Sequence, residues 1–169
     1  YLVPSTYYAE YPHKRLHCIR TQFTINAFKI QTDYRFMTFY KAGAEQRDSR
    51  YQTGMEWMVA KKVSLNMKYG LYTGEESAWY MRSGYTIQWG SLQQAMSVVY
   101  VNSNGRKVYC AMLPLANSNI LTEVCSSTAV YLAMRVGYRS KLCQLSLRLL
   151  SELSHIKNAK GEFGATAWF

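Results

Sequence analysis

The sequence predicts a mainly β protein: an antiparallel meander of about nine strands, forming a barrel or a barrel-like curved sheet. Three observations predict it. Apolar and polar residues alternate with period two through most of the chain. Short turn-forming clusters, such as Gly90-Ser91 and Asn102-Ser103-Asn104-Gly105, punctuate those runs. With 49% apolar and 15% aromatic residues among 169, the chain has ample material for packed structure, which excludes disorder.

Residues 1–15 are aromatic and contain Pro4 and Pro12, which predicts an irregular lead-in. Residues 16–169 are expected to form a single β-barrel-like domain. The chain opens on Tyr1 rather than Met, so it is read as a fragment or a processed form. From Leu16, Ile19, Phe23, Ile25 and Ala27 share one strand face, with Arg20, Gln22, Thr24 and Asn26 on the other. Gln31-Thr32-Asp33 is expected to turn, and Tyr34–Lys41 to form the next strand. The polar stretch 42–53 is expected to be the longest loop. Residues Met55–Tyr72 carry the strongest alternation: Met55, Trp57, Val59, Val63, Leu65, Met67, Tyr69 and Leu71 on one face, interrupted at Lys61. That predicts either one long strand or a kink or bulge at Lys61-Lys62.

Thr73-Gly74-Glu75-Glu76 predicts a turn. Trp79, Met81, Tyr85, Ile87 and Trp89 then alternate with Tyr80, Arg82, Gly84, Thr86 and Gln88. After Gly90-Ser91, the strand Leu92–Val101 leads into Asn104-Gly105. Both of these residues tolerate positive φ, which predicts a hairpin joining the strands around Val99 and Val108. Ala116–Thr128 fits a loop or a short helix. Val130, Leu132, Met134, Val136 and Tyr138 predict another strand, as do Cys143, Leu145, Leu147 and Leu149, although Leu142–Leu153 also fits a helix. Glu162–Phe169 reads as the last strand.

A soluble β domain buries its apolar face, whereas a membrane barrel turns it outward toward lipid. Periodicity is the same in both. The second face carries Gly70, Gly84, Gly137, Ser64, Ser146 and Asn66 with scattered Arg20, Arg82, Arg135 and Arg148, a composition that suits a hydrated interior. Under that reading Val130, Leu132, Met134, Val136, Cys143, Leu145, Leu147 and Leu149 face lipid, and Arg135, Gln144 and Arg148 face inward. Trp57, Tyr72, Trp79, Trp89 and Tyr138 are then expected to form an interfacial girdle. Under the soluble reading the same aromatics are core.

A net charge of +10 favours an anionic partner, either RNA or an anionic membrane. Tyr34-Arg35-Phe36 and Tyr80-Met81-Arg82 interleave aromatic and basic residues as an RNA-binding sheet would, without an RNP signature. The alternative function is accordingly a soluble basic domain binding RNA, such as a ribosome-associated subunit. Cys18, Cys110, Cys125 and Cys143 form no C-x-x-C pair, which favours a reducing compartment over a disulfide scaffold. His13 and His17 beside Cys18 have a helical metal spacing, but Pro12 and the strand pattern oppose a helix. His155 is isolated, and Glu75-Glu76 sits in an expected turn. No phosphate-binding glycine loop or nucleophile elbow occurs. No catalytic, cofactor-binding or metal-ligating residue is assigned, no cofactor or small-molecule substrate is expected, and the chain reads as non-enzymatic.

Gly84, Tyr85, Gln93 or Gln94, Ala95, Met96, the hairpin Asn102–Arg106, Leu113 and Leu115 resemble, in order and spacing, part of the β-barrel-like region of the mitochondrial subfamily-C J-protein associated with the cristae-organising system. The resemblance covers Gly84–Leu115; the later strands agree in pattern only. The J-domain His-Pro-Asp tripeptide is absent, so no chaperone-stimulating activity carries over. Glu162-x-Gly164-x-x-Ala167-x-Phe169 also resembles the sorting signal in the last strand of mitochondrial outer-membrane barrels. The resemblances imply a mitochondrial membrane location, at the outer membrane or associated with the intermembrane space. They also imply partners among membrane lipid and membrane-complex proteins, and a structural role in membrane organisation or protein assembly.

Overall fold

A computed structural model describes residues 2–11, 14–41, 44–74, 76–110, 123–125, 127–153 and 159–167. Every helix or strand among them is a strand: β1 (Leu2–Tyr11), β2 (Lys14–Ile25), β3 (Phe28–Lys41), β4 (Ala44–Ala60), β5 (Val63–Thr73), β6 (Ala78–Trp89), β7 (Leu92–Asn102), β8 (Val108–Cys110), β9 (Glu123–Cys125), β10 (Ala129–Arg139), β11 (Cys143–Glu152) and β12 (Lys160–Ala167). Ten of them form one antiparallel sheet in the order β1-β2-β3-β4-β5-β6-β7-β10-β11-β12, and β8 and β9 form a separate ribbon. The predicted antiparallel meander is therefore the fold. Closure into a barrel is not seen among the described residues: β1 and β12 are the two edges of an open sheet.

Tight turns at one rim hold the meander together. Asn26 at φ 49° and Gly90 at φ 58° begin the two-residue connections that pair Ile25 with Phe28 and Trp89 with Leu92. Left-handed φ matches the right-handed twist of the flanking strands, and Gly and Asn adopt it at least cost. Connections at the opposite rim include the β7–β10 excursion, which carries the extra ribbon.

Several expectations are corrected. The irregular lead-in includes strand β1, paired with β2 from Leu2↔Phe23 to Tyr11↔Lys14. Gln31-Thr32-Asp33 does not turn; it lies inside β3, and the chain reverses at Asn26-Ala27 instead. Much of the expected loop over 42–53 belongs to β4, paired with β3 as far as Lys41↔Ala44. Met55–Leu71 is extended but is two strands, reversing at Lys61-Lys62. Pairing runs Met58↔Ser64 and then Ala60↔Val63, so one extra residue bulges out beside the turn. That residue restores the inward–outward phase across the reversal, so the alternation continues through the turn as if the strand were unbroken. Asn104-Gly105 does turn, with Arg106 N–H donating to Ser103 O at 2.8 Å. However, β8 then pairs with β9, and β7 pairs with β10, so no Val99–Val108 hairpin forms. Leu142–Leu153 is strand rather than helix over β11. Of Ala116–Thr128, residues 116–122 and 126 lie outside the described residues; Glu123–Cys125 is strand.

The hydrophobic core lies on one face of the sheet, beneath the β8–β9 ribbon. Val108, Cys110 and Cys125 pack with Tyr72, Ala78, Tyr80, Val99, Val101, Ala129, Tyr131 and Leu150. Burial on that face extends to Cys18 and Asp33, far from the ribbon in strand order, as it does when a sheet curls toward one side. We call this face inner. Gly70 makes room for it: a Cβ there would overlap the ring of Tyr80, a fully buried residue.

Candidate lipid-facing surface and its polar counterface

Strand register places most of the exposed apolar residues of β2 to β7 and β10 to β12 on the outer face. One cross-strand row runs Phe28–Trp57–Leu65–Tyr85–Met96–Met134–Leu149. The next runs Ile30–Met55–Met67–Ser83–Val98–Leu132. Val136, Leu147 and Phe163 continue the surface on β10, β11 and β12. These side chains are exposed or half-exposed: Met67 is 46% accessible, Val136 47%, Leu147 45% and Phe163 69%. In water, a contiguous apolar surface of this extent marks an interaction site, because isolated soluble domains rarely expose one.

Aromatics lie toward both ends of the strands on this face. Near the tight-turn rim, Phe28 stacks on Trp57 with centroids 5.3 Å apart, and Trp89 and Tyr138 are exposed. Toward the other rim, Tyr34 pairs with Tyr51, and Trp79 lies against Tyr100 at 5.1 Å. Between them the band is mainly aliphatic and Met-rich, broken by uncharged residues such as Thr53 and Ser83. Arg15, Glu45 and Arg47, the acidic and basic residues whose side chains are described on this face, cluster at the β3–β4 turn rim. Strands of 10 to 12 residues, as in β5, β6, β7, β10 and β11, match the roughly 9 to 11 tilted residues that cross a hydrocarbon core.

Away from the apolar core beneath the β8–β9 ribbon, the inner face is polar and cross-linked. Asp33, 4% exposed, accepts from Arg20 Nη2 at 2.8 Å and from Arg35 Nε at 2.9 Å. Arg148, buried, pairs with Glu162 at 2.7 Å. Arg135 donates to Gln93 Oε1 at 2.7 Å, and Arg82 to Asn66 Oδ1 at 3.1 Å. Turned so that its oxygen faces them, the Gln52 carboxamide accepts from the Tyr80 hydroxyl at 2.6 Å and from Arg50 Nε at 3.0 Å. Arg106, in the β7–β10 excursion, reaches back to pair with Asp48 on β4 and donates to Glu76 O at 2.9 Å. It thereby fastens the ribbon across the curled face. Arg148, the buried cation among them, is tolerable on this face because it is paired with Glu162.

The residues assigned to lipid in the sequence lie where expected: Val136, Leu145, Leu147 and Leu149 are exposed, and Val130, Leu132, Met134 and Cys143 are half-exposed on the same face. Arg135, Gln144 and Arg148 are on the inner face. Tyr72 departs from the expected girdle: it is buried inside, with the Arg50 guanidinium 4.9 Å from its ring centre. Sequence reading missed Tyr51 in the belt because residues 42–53 read as loop. His17 and Cys18 are not brought together, since successive residues of β2 point to opposite faces. His13, Glu75 and His155 lie outside the described residues. Alternation also divides Arg35 from Tyr34 and Phe36, and Tyr80 is fully buried, so neither aromatic–basic fragment forms a stacking platform. Among the described residues, no helix is long and apolar enough to cross a membrane. Comparison with known proteins finds no matching family model, curated protein or solved structure.

Proposed function

We propose that this chain is a non-enzymatic structural β protein whose outer face lies in contact with lipid acyl chains, and that it works in membrane organisation or protein assembly. One observation carries the reading: outside the apolar core beneath the ribbon the alternation is inside-out, with aliphatic and aromatic side chains exposed and Asp33, Gln52, Ser64, Ser146 and Arg148 buried on the inner face. Water would select the reverse arrangement; hydrocarbon selects this one. Because lipid satisfies no backbone groups, the edges β1 and β12 must be paired in the membrane, with each other or with further strands. A mitochondrial membrane, outer or associated with the intermembrane space, is the location the sequence resemblances favour, and membrane-complex proteins are the partners.

Flotation with phosphatidylcholine vesicles tests the proposal. Apolar insertion needs no anionic headgroup, so the chain should float with neutral vesicles and remain bound in high salt. A chain that stays behind, or that salt releases, contradicts it. The RNA reading makes the opposite forecast: RNA binding that falls steeply with salt and weakens when Arg35 and Arg82 are replaced together. The bonds of Arg35 to Asp33 and of Arg82 to Asn66 favour a structural role for both residues.

A further inference from the structure

The β8–β9 ribbon holds a pair of cysteines with no role in the lipid-facing surface. Cys110 and Cys125 are 0% and 2% exposed, and their Sγ atoms are 3.1 Å apart. In the ladder, Cys125 opposes Val108 and Cys110 opposes Glu123, so the two thiols lie on one diagonal. The strong twist of a two-stranded ribbon draws one diagonal together. The sulfurs stand about 1 Å beyond the bonded separation of roughly 2.05 Å. Cys18 and Cys143 sit on β2 and β11 of the main sheet.

We propose that Cys110 and Cys125 form a reversible disulfide that clips the β8–β9 ribbon over the inner face. The oxidant is a low-molecular-weight disulfide. One cysteine thiolate attacks a sulfur of that disulfide, forming a mixed disulfide and expelling one small thiolate. The second cysteine thiolate then attacks the protein sulfur, forming the Cys110–Cys125 bond and expelling the other small thiolate. Two protons leave the protein thiols and are taken up by the two expelled thiolates; two electrons pass to the small disulfide. Both sulfurs are buried, so the first attack requires the ribbon to lift. Its ladder of three residue pairs, Val108↔Cys125, Tyr109↔Val124 and Cys110↔Glu123, opens more readily than the ten-stranded sheet. The bond therefore records when the ribbon is closed.

The test incubates the reduced full chain with oxidised glutathione, alkylates it after denaturation and maps the peptides by mass. The expected product is a Cys110–Cys125 peptide pair lacking two hydrogens. Amide exchange in β8 and β9 should slow on oxidation and recover with dithiothreitol. In Cys110→Ser, which lacks the resolving thiol, Cys125 should accumulate as the glutathione mixed disulfide. Recovery of both cysteines alkylated at every glutathione ratio overturns the proposal. So does pairing of either with Cys18 or Cys143, or a disulfide that leaves β8–β9 exchange unchanged. The wild-type map decides the matter even if Cys110→Ser does not fold.

Discussion

Replacing Leu147 by Arg separates a lipid-facing surface from a wet one. Leu147 lies midway along β11, between Val136 and Phe163 in register, and is 45% exposed. In water, the half of its surface already packed contributes about 0.8 to 1.5 kcal/mol, taken as half the full value for a buried Leu. A long Arg at such a site would retain part of that by lying along its neighbours. Near a bilayer midplane the same change costs about 2 to 4 kcal/mol, because the guanidinium must be desolvated or must drag water into the hydrocarbon. At 1.4 kcal/mol per decade, the unfolding equilibrium shifts by roughly 30- to 700-fold. The control is Gln144→Arg, on the half-buried inner face of the same strand. Ala133 and Ser146, which composition alone marks as tolerant, are unsuitable because they are 0% and 2% exposed within the inner packing. Reversible urea unfolding in phosphatidylcholine vesicles measures both variants. A cost of 1 kcal/mol or less for Leu147→Arg, equal to that of Gln144→Arg, would refute the reasoning.

Two further predictions concern the inner face. Asp33→Asn removes the carboxylate shared by Arg20 and Arg35 and is expected to destabilise by about 1 to 3 kcal/mol in the same unfolding assay. An unchanged midpoint would mean that the bridge contributes nothing. Gly70→Ala forces its methyl group into the Tyr80 ring and is expected to cost about 1 to 3 kcal/mol, with Gly54→Ala, whose methyl group would meet only ordinary van der Waals contacts, costing less. Equal losses would contradict the packing described for Tyr80.

β5, β6, β7 and β10 were legible because each carries a clean period of two. Gly90 and Asn104-Gly105 signalled reversals through their tolerance of positive φ. Two features hid the rest. The bulge beside Lys61-Lys62 keeps the alternation in phase across a hairpin, so the strongest run in the chain concealed its own turn. In β4, the stretch from Ala44 to Thr53 is polar because its inner-facing side chains find polar partners, Gln52 with Tyr80 and Arg50, and Asp48 with Arg106; composition then resembles a loop. Which face is exposed was not legible, since alternation is symmetric. Nor was the juxtaposition of Cys110 and Cys125, which depends on the pairing of two three-residue strands.

Site-directed spin labels at residues 144–149 on a background without native cysteines, in phosphatidylcholine vesicles, test the inside-out sheet most directly. Collision with oxygen, which concentrates in hydrocarbon, should peak at 145, 147 and 149 and fall at 144, 146 and 148, following the exposure of Leu145, Leu147 and Leu149 against burial of Ser146 and Arg148. A water-soluble nickel chelate should reach the odd positions poorly. Free access of the chelate to 145, 147 and 149, with no alternation in oxygen collision, would contradict a lipid-facing outer surface.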